Sequence, residues 1–200
     1  YPLLPEVRFI DFNATDQLNI ISAKTAGVII EPIQGDAGVR IPSSEFLKAL
    51  RRRCDEVGAL LIFDEIQSGF GRTGKLFAFE HFNVVPDVLT VGKAFGGGMP
   101  IGGFISSKEN MNKLTFNPKL GHITTFGGHP VCCAAALASL ELISDPELLD
   151  QVEVKGRLFE DLLIHPKIKE IRRKGMFFAI ELENPEIVQQ VVHGAQSILR

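Results

Sequence analysis

The stretch AGVIIEPIQGDAGVRIPSSEFLKALRRRCDEVGALLIFD, residues 26–64, decides the fold. It opens and closes with short apolar runs, residues 26–33 and 59–63. Apolar runs of this length, bounded by turn-forming or charged residues, predict strands that are buried on both faces. Between them, the cap pattern PSSE at residues 42–45 precedes apolar residues at helical spacing, and Gly58 stands where such a helix would end. The stretch therefore predicts a strand, a helix and a second strand, the repeating unit of a parallel sheet.

The segments that follow extend this pattern and then change it. We predict strands at residues 88–91 and 101–105 and an alanine-rich helix from Pro130 to about residue 143. Beyond Asp145 the predicted order is helix, strand, strand and helix, at residues 148–163, 168–173, 176–182 and 185–200. The prediction is an α/β fold in residues 1–144, with a mostly parallel sheet covered by helices, followed by the start of a smaller α+β domain in residues 145–200.

The composition indicates a globular protein and excludes several kinds of partner. The 200 residues are 45% hydrophobic, and 21 basic against 24 acidic residues leave a net charge of −3. We predict no nucleic-acid partner, because this balance leaves no dominant basic face. Three cysteines, including the adjacent Cys132 and Cys133, fit neither a disulfide framework nor a metal site, which favours a reducing, cytoplasmic location. No apolar run approaches the ~20 residues of a membrane span, so no membrane partner is expected.

The two ends of the sequence indicate a longer protein. The chain begins with Tyr1 and not with Met, and it stops at Arg200 inside an amphipathic stretch that no Gly or Pro ends. We therefore expect a partial chain. Such a chain should expose more apolar surface than a self-contained domain does.

One glycine-rich loop invites a nucleotide-binding interpretation. Residues 69–75, GFGRTGK, satisfy the P-loop pattern, and the acidic strand LLIFDE comes directly before them. However, Leu76 follows the lysine where a P-loop needs a serine or threonine for Mg²⁺, and the loop comes after the acidic strand and does not open the first helix. A P-loop ATPase is therefore not favoured.

The predicted strand ends bring three unlike charged groups to one edge of the sheet. Glu31 follows the first strand, Asp64 ends the second, and Lys93 comes just after the third. Lysine can form a Schiff base with an aldehyde, and a carboxylate can keep a pyridine nitrogen protonated, which are the two requirements of a pyridoxal phosphate (PLP) site. The glycine-rich segment 94–100 would let Lys93 move. Glu65 is interpreted as a structural neighbour.

Three ordered motifs then carry a family resemblance. IFDEIQSGFGRTGK (62–75), PDVLTVGKAFGGGMPIGG (86–103) and TTFGG (124–128) resemble the class III aminotransferases of PLP fold type I. EPIQGDAG (31–38) and GKLFAFEHF (74–82) resemble in particular the acetylornithine and ornithine aminotransferases. The resemblance runs from about residue 27 to residue 143, and it implies the PLP-dependent transferase fold type I.

The resemblance also implies a role for each matching residue around the cofactor. Lys93 would form the Schiff base, and Asp64 would pair with the pyridine nitrogen. Gln67 would hydrogen-bond the phenolic oxygen of the cofactor, and Ile66 would pack on one face of the ring.

Other matching residues would act on the substrate or across a subunit boundary. Thr125, with Thr124, would reach the phosphate of the neighbouring subunit's cofactor, which implies a homodimer. Glu31 and Asp36 would lie on the substrate side. The family usually has Glu where Asp36 stands and GGNP where this chain reads GGHP at His129, so Asp36 leaves the fine substrate preference open.

The implied activity is transfer of an amino group from an ω-amino donor of N-acetylornithine or ornithine type to 2-oxoglutarate, giving glutamate and an aldehyde, as in arginine biosynthesis. The alternatives are a 4-aminobutyrate or lysine-type aminotransferase, an aminomutase, a decarboxylase of the same fold, or an inactive fragment. In the family, the phosphate-binding helix start and the second ring-stacking aromatic lie upstream of this stretch, and the arginine that binds the substrate carboxylate lies downstream. None of them falls within these 200 residues.

Overall fold

A computed structural model describes residues 5–116, 118–119 and 122–198 of the chain, so that the predicted features at Tyr1 and Arg200 lie outside the described residues. Six strands and five α-helices follow one another in these residues. They are β1 (Gly27–Ile30), α1 (Ser44–Val57), β2 (Leu60–Asp64), β3 (Val88–Val91), β4 (Gly103–Ser106), α2 (Lys108–Lys113), α3 (Pro130–Ile143), α4 (Pro146–Leu162), β5 (Ile168–Lys174), β6 (Phe177–Leu182) and α5 (Pro185–Ile198).

The predicted strand, helix and strand at the start of the sheet form as expected. Ser43 begins α1, because its hydroxyl accepts a hydrogen bond from the Phe46 N–H at 3.1 Å. Gly58 ends the helix with a φ of 75°, a conformation that glycine adopts without steric cost. The buried face of α1 carries Leu47 and Leu50, which pack in one core with the strands.

The first four strands form one sheet in the order β1-β2-β3-β4. β1, β2 and β3 are parallel, and β4 pairs with β3 in the antiparallel direction, with Val88 opposite Ser106. The predicted α/β fold with a mostly parallel sheet flanked by helices is confirmed. The fourth strand begins at Gly103 and not at the predicted residue 101.

The prediction that residues 26–33 form a strand buried on both faces is wrong. Alternate residues of β1 are open to solvent, and Ile29 is 66% exposed. Phe104 and Ile105 of β4 are also exposed. The whole chain has an accessible surface of 13551 Å², whereas a self-contained chain of this size exposes about 9300 Å². The exposed residues include many large apolar side chains, such as Phe9, Phe126 and Ile164, which agrees with the expected excess of exposed apolar groups.

The C-terminal elements form a helix and a hairpin that return to the first sheet. Asp145 caps α4 by accepting a hydrogen bond from the Glu147 N–H at 2.9 Å. β5 and β6 pair in the antiparallel direction. Gly175 in the turn between them lies so close to Thr73 that a Cβ on Gly175 would come within 2.6 Å of the Thr73 backbone. The domain boundary near Ser144 stays a prediction.

Candidate functional site

The carboxyl ends of β2 and β3 place Asp64 and Lys93 at the same edge of the sheet. Asp64 is the last residue of β2 and pairs in register with Thr90 of the parallel strand β3. β3 ends at Val91, and Lys93 begins a 3₁₀ turn, Lys93–Gly96, after Gly92. Ligands of open α/β sheets bind at this edge because the loops after parallel strands meet there.

The backbone of Lys93 adopts an uncommon conformation. Its φ is 46°, in the left-handed region that costs a residue with a side chain on the order of 1 kcal/mol. The turn is closed by the Phe95 N–H, which donates to the Gly92 carbonyl at 3.0 Å. The Lys93 side chain is exposed, and its amine has no ion-pair partner among the described residues. A strained lysine with a free amine at a sheet edge is typical of a functional position.

Asp64 is held in place by the loop that it begins. Its Oδ1 accepts a hydrogen bond from the Ile66 N–H at 3.0 Å, and its other carboxylate oxygen has no partner within the described part of the chain. The Ile66 side chain packs over Gly92, where an added Cβ would lie 3.4 Å from Ile66 Cγ2. Asp64 can therefore bind a donor group through one free oxygen beside an apolar wall.

A cavity of about 500 Å³ lies at this edge of the sheet and is lined by Lys93 and Ile66 but not by Asp64. Its size is within the range of small-molecule sites. One wall comes from the sheet edge and the other from helix α4 and the β5–β6 hairpin. The lining residues are Ile66, Gln67, Arg72, Lys93, Ala94, Phe159, Met176, Phe177 and Phe178. Three of the predicted site residues, Ile66, Gln67 and Lys93, thus share one cavity.

The predicted substrate-side residues lie next to Gln67. The Gln67 Nε2 donates to Asp36 Oδ1 at 3.2 Å. Glu31 Oε2 accepts from the Gly35 N–H at 2.9 Å, so this carboxylate holds the loop that carries Asp36. Asp36 is exposed and Glu31 is half-buried.

Thr124 and Thr125 do not reach this cavity. They lie in an exposed turn before α3, where Gly127 donates its N–H to the Thr124 carbonyl at 3.3 Å. His129, at the start of α3, makes no side-chain cap hydrogen bond. The predicted contact of Thr125 with the cofactor of a neighbouring subunit stays a prediction.

Glu65 has a structural role that its neighbour Asp64 lacks. It is fully buried, and its carboxylate accepts hydrogen bonds from Ser68 Oγ, the Ala78 N–H and the Phe79 N–H at 2.7, 3.0 and 2.8 Å. Burial raises the pKa of Glu65 against the opposite effect of these donors. The Glu65 carboxylate thus holds together the loop between β2 and Phe79. Because its oxygens already accept these hydrogen bonds, the carboxylate is not free to bind Mg²⁺ as in a nucleotide site.

Replacing Glu65 by glutamine should lower the free energy of unfolding by about 2–4 kcal/mol, because the amide would turn an NH₂ group toward buried donors. Urea denaturation measures this change. The exposed Glu80, which accepts one hydrogen bond from the Phe77 N–H in the same loop, is the control, and Glu80→Gln should cost less than about 1 kcal/mol. Equal effects of the two variants would contradict the role of Glu65.

A second cavity, of about 620 Å³, lies on the other side of the same loop. Lys75 of the P-loop-like pattern lines it, together with His81 and Arg173. Burial lowers the pKa of His81 to about 4, and the positive charges of Lys174 and Lys75 add to the effect. Arg173 is already bound to Glu153, at 3.1 and 3.2 Å, and to Glu160. The His81 Nε2 lies 3.1 Å from the Thr73 carbonyl oxygen, so Arg173 and His81 both have partners within the protein.

Sequence reasoning missed the second wall of the first cavity. Met176, Phe177 and Phe178 of the β5–β6 hairpin and Phe159 of α4 line it, although their segment was assigned to another domain. Phe177 also packs on Gly35, where an added Cβ would lie 2.9 Å from Phe177 Cζ. The aromatic residues after Gly175 indicated an apolar surface, but they did not indicate which part of the chain this surface packs against.

With this geometry established, comparison with known proteins identifies the family. A family model described as aminotransferase class III matches residues 10–198. The chain belongs to the class III aminotransferase family.

Individual relatives agree with this assignment. The chain is 44% identical over 189 residues to an acetylornithine aminotransferase of Methanocaldococcus jannaschii, covering 92% of this chain and 47% of that protein. It is 38% identical over 203 residues to a [LysW]-aminoadipate semialdehyde/glutamate semialdehyde transaminase of Sulfurisphaera tokodaii, covering 99% and 52%. The chain thus spans about half the length of the curated relatives it matches.

Solved structures show the same fold. An ornithine aminotransferase of Toxoplasma gondii, described with PLP at partial occupancy in its active site, superposes with a TM-score of 0.82 at 36% identity, covering 92% of this chain and 44% of that one. An acetylornithine aminotransferase of Elizabethkingia anophelis gives a TM-score of 0.78 at 37% identity, covering 88% and 45%. No helix of the described residues has the length and apolar character needed to cross a membrane.

Proposed function

We propose that the protein is a PLP-dependent aminotransferase that moves the terminal amino group of an ω-amino donor, of N-acetylornithine or ornithine type, to 2-oxoglutarate. The observation that carries this proposal is the shared sheet edge, where Asp64, with one unpaired carboxylate oxygen, ends β2 and Lys93, which lines the cavity, follows β3. The family and the names of the relatives support the reaction class and the kind of donor.

The residues present fit PLP. Lys93 has the amine that binds the aldehyde, Asp64 has an unpaired oxygen for the ring nitrogen, and Ile66 has an apolar side chain for the ring face. Gln67 has an amide within the same cavity for the phenolic oxygen. When bound, PLP supplies an electron sink that stabilises negative charge on the amine-bearing carbon.

The chain's own groups then supply binding and proton transfer. Lys93 Nζ would hold the aldehyde of the cofactor, and as a free base it would take the proton from the amine-bearing carbon of the donor. Asp64 would keep a proton on the pyridine nitrogen, and the hydrogen bond that it accepts from the Ile66 N–H fixes the direction of its carboxylate. Ile66 and the aromatic wall exclude water from the reacting carbon.

The remaining assignments also belong to this proposal. Glu31 and Asp36 would border the substrate, since they hold the loop beside Gln67. Thr125, with Thr124, would reach the cofactor phosphate of the other subunit in a homodimer. A cytoplasmic location is proposed from the cysteine content, and a place in arginine biosynthesis is proposed from the donor type.

The test is the absorption spectrum of the full-length protein with PLP, recorded while N-acetylornithine, ornithine and 4-aminobutyrate are added in turn. We expect N-acetylornithine or ornithine to bleach the visible band, and 2-oxoglutarate to restore it with one glutamate formed per cofactor. Bleaching by 4-aminobutyrate alone would contradict the proposed donor and would indicate a 4-aminobutyrate-type aminotransferase. Product formation without any need for a keto acid would instead favour a mutase or decarboxylase and would contradict the proposal.

A further inference from the structure

We propose that Arg172 is a positioning residue, which holds the turn of residues 35–38 so that Asp36 and Gln67 stay hydrogen-bonded at the edge of the cavity beside Lys93. The inference rests on the proposed function, because Gln67 and Asp36 act there on the cofactor and the substrate. Arg172 lies in β5, outside both the predicted site and the three motifs that carry the family resemblance.

The turn is compact and places Asp36 against Gln67. The Gly35 carbonyl accepts hydrogen bonds from the N–H groups of Gly38 and Val39 at 2.9 and 3.1 Å, and Gly38 has a φ of 97°. Asp36, the second residue of the turn, accepts the Gln67 amide hydrogen bond at 3.2 Å. The direction of the Asp36 side chain therefore depends on the backbone of the turn.

Three side chains fix this backbone from outside. Glu31 accepts from the Gly35 N–H at 2.9 Å, and the Arg40 Nε donates to the Ala37 carbonyl at 3.1 Å. Both residues are near neighbours in sequence. Arg172 is 134 residues away along the chain from Gly38, and its Nε donates to the Gly38 carbonyl at 2.8 Å. It is thus the hydrogen bond by which the C-terminal hairpin holds the Gly38 end of the turn, while Phe177 of the same hairpin packs on the Gly35 end.

Arg172 is itself oriented by two carboxylates of the hairpin. Its Nη1 forms ion pairs with Glu181, at 2.8 Å, and with Glu170, and its side chain is 29% exposed. A guanidinium held on one side by carboxylates directs its Nε–H in a fixed direction, because the group is planar. A lysine can keep the ion pairs but has no second donor in that fixed plane.

A displacement of the turn would be transmitted to Gln67. An added Cβ on Gly35 would lie 1.4 Å from Gln67 Oε1, so the backbone and the amide are in direct contact. An added Cβ on Gly38 would lie 3.0 Å from Arg172 Nη2, so that end of the turn is in close contact as well. Both ends of the turn therefore have little room to shift without moving Gln67 or Arg172.

The first experiment measures hydrogen exchange of the backbone amides in the full-length protein without PLP. Arg172→Ala should speed exchange in the segment 34–40 about tenfold, because a charge-assisted hydrogen bond is lost. Arg172→Lys should give a smaller increase. Lys169→Ala is the matched control, since Lys169 also binds Glu181, at 3.3 Å, from the same strand, and it should leave the segment 34–40 unchanged.

The second experiment measures steady-state kinetics of the same variants with PLP. Arg172→Ala should raise KM for the amine donor roughly fivefold or more while kcat changes less, since binding and not the proton transfer is misaligned. Unchanged exchange in the segment 34–40 would overturn the inference, and so would an equal rise throughout β5 and β6, which would indicate general loss of the hairpin. Faster exchange in the segment 34–40 in a protein that transfers no amino group would uphold the role of Arg172 in the turn and refute the proposed function.

Discussion

Replacing Lys93 by alanine should abolish both the visible absorption of bound PLP and amino-group transfer in the full-length protein. Among the described residues no other lysine lines the cavity, so no neighbouring amine there would replace Lys93 in binding the aldehyde or in proton transfer. We expect kcat to fall by at least about 10³-fold, since covalent binding and general base catalysis are lost together. Absorption spectra and a coupled glutamate assay measure the two effects.

Two further variants separate chemistry from charge and from folding. Lys93→Arg keeps the positive charge but cannot serve as an amine nucleophile near neutral pH, so it should be as inactive as Lys93→Ala. Lys48→Ala, at an exposed position of α1, should leave spectrum and activity unchanged. Persistence of either the absorption band or the transfer activity in Lys93→Ala would refute the assignment.

Replacing Asp64 by asparagine should lower kcat by about 10²–10³-fold while the protein stays folded. The amide oxygen can still accept the Ile66 N–H, so the local backbone is kept. The amide cannot stabilise a proton on the pyridine nitrogen, and the negative charge that develops on the substrate carbon then loses its electron sink. Steady-state kinetics with a saturating amine donor measures the change.

The control for this variant is Asp161→Asn, because Asp161 is an exposed aspartate of α4 and does not lie at the sheet edge that carries Asp64 and Lys93. Its kcat and thermal midpoint should match those of the parent protein. If Asp64→Asn retains a kcat within about twofold of the parent, Asp64 has no part in the chemistry. If it loses thermal stability as strongly as activity, its role is structural.

Much of the local structure could be predicted, because the signals for it lie close together in the chain. Helix α1 begins at the Ser43 cap and ends at Gly58, as the cap pattern indicates. Strand β2 ends at Asp64, and Lys93 follows strand β3. The apolar runs and the turn residues that bound them were sufficient to place both side chains at strand ends.

The pairing of distant segments could not be predicted in the same way. The apolar run of β1 is compatible with burial of one face of the strand or of both. Which faces are buried depends on the elements that pack against the strand, and Ile29 is exposed. The direction of β4 depends likewise on how it meets β3, because a short strand has no sequence signal for parallel or antiparallel pairing.

The sequence by itself determined the chemical groups, which are a lysine and an aspartate at successive strand ends with Gln67 and Ile66 beside them. The places of the lysine and the aspartate follow from the local hydrophobic pattern, and the choice of Gln67 and Ile66 follows from the family resemblance of their motif. Only the tertiary structure decided what surrounds them. The aromatic wall at Phe177 and the hydrogen bond from Arg172 to Gly38 both come from the β5–β6 hairpin, and Arg172 is 134 residues along the chain from Gly38. Such contacts depend on side-chain packing and on the direction of individual hydrogen-bond donors. The periodicity of a sequence contains no information on either.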